Sequence, residues 1–127
     1  MKVLLDTHVL YWWFVSSEKL PKLAFSLLTE PDNLILVSPA IGWELAIKTN
    51  LGKLNALPLV SELHLLTEEE GFQELPVKIE DAVRAGLLPL HHRDPFDRLL
   101  VAQAQGANLP ILSGDSLLDR YDVKRIW

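Results

Sequence analysis

Short apolar runs alternating with amphipathic stretches predict an α/β domain with a mostly parallel central sheet of about five short strands. Three observations carry this. Val3-Leu4-Leu5 and Leu34-Ile35-Leu36-Val37 contain no polar residue, as expected of strands covered on both faces. Between the runs lie helical segments with strong start signals, Ser38-Pro39 and Asp94-Pro95 above all. With 127 residues, 49% of them hydrophobic, the chain has the apolar material for one core, so residues 1–127 read as a single domain.

In chain order, residues 3–6 form the first strand. Thr7 then caps a helix from about His8 to Val15, with Leu10, Trp13 and Phe14 on one face. A second helix runs from Leu20 to Thr29 and ends at Glu30-Pro31-Asp32-Asn33, before strand two at 34–37. Ser38 caps the third helix, with proline at its first position; it carries Ile41, Leu45, Ala46 and Ile47 and fades near Asn50-Leu51-Gly52. Leu59 to Glu70 reads as helix, Phe72 to Leu75 as strand, and Ile79 to Ala85 as a helix stopped by Gly86. After a His91-His92-Arg93 loop, Asp94-Pro95 opens a helix to about Gln105, closed by Gly106. Its Phe96, Leu99, Leu100 and Gln103 fall at i, i+3, i+4 and i+7. Pro110 to Leu112 is strand four, a single turn follows near Ser116 to Asp119, and Val123 to Ile126 is the last strand.

The absence of cysteine excludes disulfides and thiolate zinc sites and fits a reducing cytoplasm. No apolar run is long enough to span a membrane, and Asp6 interrupts the start too early for a signal-peptide core, so a soluble, intracellular protein is expected. A net charge of −5 argues against broad nonspecific nucleic-acid binding, though not against a nuclease whose acids hold metal. Lys48, Lys53, Arg93 and Arg98 lie close in sequence to the candidate acids and could form a local basic rim.

Four acids stand at the ends or starts of separate segments: Asp6, Glu44, Asp97 and Asp115. In an open parallel sheet the carboxyl ends of the strands line the edge where ligands bind. Carboxylates gathered there repel by roughly 3 kcal/mol per pair, taking ~5 Å and an effective dielectric of ~20. A divalent cation is the simplest offset. Each acid also has a plainer role. Asp6 could only stabilise helix-entry amides, and Glu44 could be a surface i,i+4 partner of Lys48. Asp94, with an acid three residues on, imitates a capping box and reads as a cap or a supporting group. Asp97 lies off the apolar stripe of its helix, free to face the crevice, and Asp115 could cap the turn after it.

Other features carry less. His91 and His92 are adjacent, point different ways and lack the spacing of a helical zinc pair, so both read as loop residues. His8 and His64 read as structural, Trp12, Trp13, Trp43 and Trp127 as core or interface residues, and Glu68-Glu69-Glu70 as a solvated helix end. There is no Walker loop, glycine-rich dinucleotide loop or nucleophile elbow.

Leu4-Leu5-Asp6-Thr7-His8-Val9-Leu10, Ser38 to Lys48, His92 to Ala104 and Leu112-Ser113-Gly114-Asp115 occur in the order seen in PIN-domain proteins. Across essentially the whole chain the sequence resembles VapC-type toxins of prokaryotic toxin–antitoxin pairs. The resemblance implies a three-layer α/β/α sandwich and a Mg²⁺- or Mn²⁺-dependent endoribonuclease acting on RNA. It further implies inhibition by a small cognate antitoxin protein and a homodimeric state. By the family pattern Asp6, Glu44, Asp97 and Asp115 form the acidic metal site, with Thr7 and Ser113 as nearby hydroxyls. Gly42 stands where relatives commonly carry serine, and Ser113 replaces the more usual threonine.

Two other classes compete with this reading. A phosphotransfer enzyme would share acids at strand ends, but a haloacid-dehalogenase-like phosphatase needs a second Asp where His8 stands. A receiver domain needs an acid where the third strand ends in Leu75-Pro76. A noncatalytic PIN-like protein-binding module would keep the fold but has no need of all four acids.

Overall fold

The computed structural model describes residues 1–127. Five strands, β1 (Lys2–Leu5), β2 (Leu34–Val37), β3 (Gln73–Glu74), β4 (Ile111–Leu112) and β5 (Arg125–Ile126), form one sheet in the order β3-β2-β1-β4-β5. Every pairing is parallel, with Val3 opposite Ile35 and Leu5 opposite Leu112. The helices are α1 (Thr7–Val15), α2 (Lys22–Thr29), α3 (Pro39–Asn50), α4 (Leu57–Ser61), α5 (Leu63–Glu69), α6 (Ile79–Leu87) and α7 (Pro95–Ala107). The result is the expected three-layer sandwich, and no helix is long and apolar enough to cross a membrane.

The apolar strand composition explains the centre. Val3, Leu4 and Leu5 are wholly buried, as are Ile111 and Leu112, so both faces of β1 and β4 lie under other layers. Each such side chain contributes about 1.5–3 kcal/mol by leaving water. The strand order reverses direction at β1, whose neighbours are β2 on one side and β4 on the other. The crevice beyond the carboxyl ends of β1 and β4 is therefore the topological switch point, where open α/β sheets bind ligands. Asp6 follows β1 directly, and Ser113 follows β4.

Several expected boundaries shift for physical reasons. Asp6, not Thr7, caps α1: its Oδ1 accepts from the Thr7 amide, leaving the Thr7 hydroxyl free for another partner. The second helix starts at Lys22 rather than Leu20, because Pro21 holds the chain extended there. The stretch expected as one helix from Leu59 breaks at Glu62 into α4 and α5, and Pro58 lets α4 begin at Leu57. Gly106 lies inside α7; the helix ends instead on Asn108, which takes the left-handed conformation with φ 53°.

Gly86 likewise does not stop α6, which continues to Leu87. Arg98 supplies the reason. Its guanidinium donates to the carbonyls of Ala85 (2.8 Å), Leu88 (2.9 Å) and Pro89 (3.0 Å), satisfying the orphan acceptors at the end of α6. Arg98 is buried, so it is a strut between α6 and α7 and no part of a basic rim.

Candidate functional site

At the switch point, Asp6 is almost fully buried, and both of its oxygens have partners. Oδ1 takes the Thr7 amide at 2.7 Å, and Oδ2 takes the Ser113 hydroxyl at 2.6 Å. The same Ser113 oxygen accepts the Asp115 amide at 2.9 Å, so one hydroxyl ties the end of β1 to the loop after β4. Serine thus makes these bonds where threonine is more usual. Asp115 fulfils its plainer reading as a turn cap and leaves its other oxygen toward the acids. Oδ1 caps the following turn by accepting the Leu117 amide, and Oδ2 faces the crevice.

Glu44 comes from the middle of α3 and is buried despite its charge. The Thr7 hydroxyl donates to Oε1 at 2.7 Å, and the Lys48 ammonium donates to Oε2. The i,i+4 pair with Lys48 is therefore real but is not a surface pair. This bond holds Lys48 above its ordinary pKa and so in the charged form. Gly42, two residues back, leaves room for a larger residue, since a Cβ there would meet Leu63 at an ordinary 3.5 Å.

From α7, Asp94 is the N-cap: its Oδ1 accepts the Phe96 amide at 2.8 Å and the Asp97 amide at 3.3 Å. Asp97 projects from the first turn into the cleft. Burial, then the charges of Asp6, Asp94 and Glu44, push its pKa up to about 9. A neutral Asp97 is how the protein tolerates the crowding when no cation is at hand.

The arrangement brings Asp6, Glu44, Asp97 and Asp115, with Thr7 and Asp94, into the lining of one cleft of about 350 Å³. Sequence reasoning passed over two of its neighbours. His92 Nε2 lies 2.8 Å from Asp115 Oδ2 and 3.0 Å from Asp97 Oδ2. The Asp94 amide donates to His92 Nδ1 at 3.1 Å, so that nitrogen presents its lone pair and Nε2 carries the proton. His92 is therefore a donor aimed at two carboxylates. Its Nε2 cannot bind a cation while this tautomer holds, although Nε2 and the Asp97 and Asp115 oxygens cluster within 4.8 Å. His8 is the second. Its Nε2 accepts the Gly114 amide at 3.0 Å, which turns Nδ1–H toward Asp6 Oδ2 at 3.6 Å. The only sequence signal for His92 was its place two residues before a helix cap whose first turn carries an acid.

The donor set suits a hard divalent cation. The groups are carboxylate oxygens, the preferred ligands of Mg²⁺ and Mn²⁺, and a positive charge would relieve the repulsion that keeps Asp97 protonated.

The family model for the PIN domain matches residues 3–124. The chain belongs to the PIN domain family. It is 34% identical over 105 residues to Ribonuclease VapC22 of Mycobacterium tuberculosis, an alignment covering 80% of this chain and 78% of that protein. Among solved structures it resembles VapBC2 from Rickettsia felis bound to a promoter DNA fragment. The TM-score is 0.72 at 15% identity, over 100% of this chain and 99% of the other. VapBC-1 from nontypeable Haemophilus influenzae gives 0.68 at 20% identity, over 99% and 97%. FitAcB from Neisseria gonorrhoeae gives 0.67 at 18%, over 98% and 96%. At these identities the structures speak for the fold alone.

Proposed function

We propose that this protein is a divalent-metal-dependent endoribonuclease, the toxin of a toxin–antitoxin pair, acting in the cytoplasm. The observation that carries the reading is the convergence of Asp6, Glu44, Asp97 and Asp115 on one cleft, where crowding raises Asp97 to about 9. Structural carboxylates are normally placed apart or paired with cations, and here only Glu44 has a full basic partner. The named activity of the Mycobacterium tuberculosis relative supports the chemistry.

Asp6, Asp97 and Asp115 are the residues we assign to hold Mg²⁺ or Mn²⁺, directly or through water, with Glu44 as a further ligand or a water-orienting group. When bound, such an ion supplies the positive charge that acidifies a water and screens a phosphate for in-line attack. Thr7 and Ser113 keep the Glu44 and Asp6 carboxylates in fixed rotamers, so the oxygens facing the cleft need no reorganisation. The neutral His92 Nε2–H lies within reach of both the Asp97 and Asp115 oxygens and would keep them together in the metal-free site.

Protein partners also belong to this reading. Ile79, Val83 and Leu87 form an exposed i, i+4, i+8 stripe on α6, the kind of apolar surface that marks a protein interface. The VapBC names of the structural relatives support a cognate antitoxin as one partner, and a homodimer is the expected toxin assembly.

The test is cleavage of single-stranded RNA with Mn²⁺ or Mg²⁺ and with a chelator. Wild type should cut only with metal, and Asp6→Asn should lower the rate by at least about 100-fold at unchanged folding. Retained metal-dependent cleavage in Asp6→Asn would refute the assignment. No metal binding at millimolar concentrations would instead favour a noncatalytic PIN-like module, and turnover of small phosphate esters would favour a phosphotransfer enzyme.

A further inference from the structure

One wall of the acidic cleft is aromatic. Trp12 and Tyr11 line the same cleft as the acids, on the α1 turn that follows Asp6. Trp127 lies beside Trp12, with ring centroids 6.2 Å apart and planes tilted by 43°, and it is 37% exposed. His8 stands edge-on to both rings, at 5.1 Å from Trp12 and 5.7 Å from Trp127. Through its bonds to Gly114 and toward Asp6, His8 fixes this wall to the frame that carries the carboxylates. Trp127 also rests on Gly114, where an added Cβ would come within 2.9 Å of the indole. The exposed Lys19 places its ammonium 6.0 Å from the Trp12 ring. A cation, two large π-faces and an acid-lined cleft thus occupy one continuous surface.

Two other cations near the cleft are committed. Lys48 is bonded to Glu44, and Arg98 is buried among carbonyls. Lys19 is exposed, carries no salt bridge, and lies on the aromatic side. Single-stranded nucleic acid is held by this combination, a base stacked on an aromatic ring with a cation on the neighbouring phosphate. A paired base offers no free face to a side-on indole, so the wall selects an unpaired nucleotide.

We propose that the Trp12–Trp127 wall stacks one unpaired RNA base next to the cleaved bond, while Lys19 takes an adjoining phosphate. This rests on the ribonuclease reading and deepens it, because it states which part of the substrate sets the register on the acids. Trp127 and Lys19 are then binding residues, outside the chemistry itself.

The experiment uses a short mixed-sequence single-stranded RNA whose cleaved bond has been mapped with Mn²⁺. An abasic ribose is placed in turn at each nucleotide flanking that bond. For wild type, one position should raise KM about tenfold, the loss expected when one base–aromatic stack is removed. In Trp127→Leu the intact RNA should already show that tenfold KM with kcat held, and the abasic change should cost nothing more. Lys19→Gln should raise KM about threefold and flatten its salt dependence. Trp12→Ala repeats the test from inside the cleft, and the exposed Trp127 and Lys19 variants keep it valid should that one misfold. If the abasic penalty survives intact in Trp127→Leu, or kcat falls while KM stays, the wall only supports Gly114 or serves another partner, and the proposal is refuted. Wild type that cuts no RNA with Mn²⁺ overturns the ribonuclease reading, and the stacking proposal with it.

Discussion

The two sides of the cleft hold similar numbers of acids in opposite electrostatic conditions. On the β1–α3 side, Asp6 and Glu44 are buried and fully bonded: a backbone amide and the Ser113 hydroxyl serve the first, the Thr7 hydroxyl and Lys48 the second. On the α7 side, Asp97 is buried among Asp6, Asp94 and Glu44 with no basic side chain but the shared His92 beside it, and it retains a proton up to about pH 9. One side is finished by folding. The other is left in electrostatic debt that a cation would cancel. Carboxylates with dedicated donors meet a ligand already oriented, and the one without is where the ligand's charge is needed most.

The largest test of that contrast is Asp97→Asn. Cleavage should fall by at least about 100-fold, yet the metal-free protein should melt several degrees higher, because asparagine is neutral in the crowded site without having to take up a proton on folding. The pH dependence follows from the sign of the shift. Asp97 binds its proton more tightly folded than unfolded, so between about pH 4 and about pH 9 the native state holds the extra proton. Stability of the metal-free protein should therefore decline as pH rises through that window, and Asp97→Asn should flatten the decline. Urea midpoints in chelator at several pH values measure both effects, and a lower midpoint in the variant would remove the crowding argument.

A middle-sized effect concerns proton release. Since a cation and a proton compete for Asp97, Mn²⁺ binding near neutral pH should expel about one proton per protein and tighten as pH rises. Titration calorimetry in buffers of different ionisation heat counts that proton, and a count near zero would place the ion elsewhere. The smallest effect belongs to the finished side. Thr7→Val strands Glu44 Oε1 and should cost about 1–3 kcal/mol of stability. It should leave the pH slope set by Asp97 in place. If Thr7→Val changes that slope as strongly as Asp97→Asn does, the two sides are not separable.

Asp6 and Asp97 were legible in the sequence because each closes or opens an element whose type was plain from its apolar pattern: Asp6 after Val3-Leu4-Leu5, Asp97 after Asp94-Pro95; Glu44, in mid-helix, was singled out only because it could share their edge. Their convergence follows from strand order, which parallel α/β topology makes predictable. His92 was not legible. Of two adjacent histidines, His91 packs edge-on against Tyr121 and His92 turns inward, a choice fixed by the Asp94 amide and by the Tyr121 hydroxyl, which receives the His92 amide. The Tyr121 contact joins residues 29 apart, so no local pattern encodes it. Arg98 was misread for a similar reason. A cation beside an acid looks like a surface rim until the end of α6, with its unpaired carbonyls, is seen to pass over it. Trp43 is 64% exposed, with its ring edge-on to Phe96, so of its two expected places, core or interface, only the second is left.

The bond from the Ser113 hydroxyl to Asp6 spans 107 positions of chain. Contacts so distant in sequence come late, because a long loop must close before they yield anything. A polypeptide that has emerged from the ribosome only as far as α7 owns three of the four acids, yet Asp6 lacks the hydroxyl that orients it. By the proposed site, such a chain would lack both the Ser113 bond that orients Asp6 and the fourth acid, Asp115, until its final strands dock.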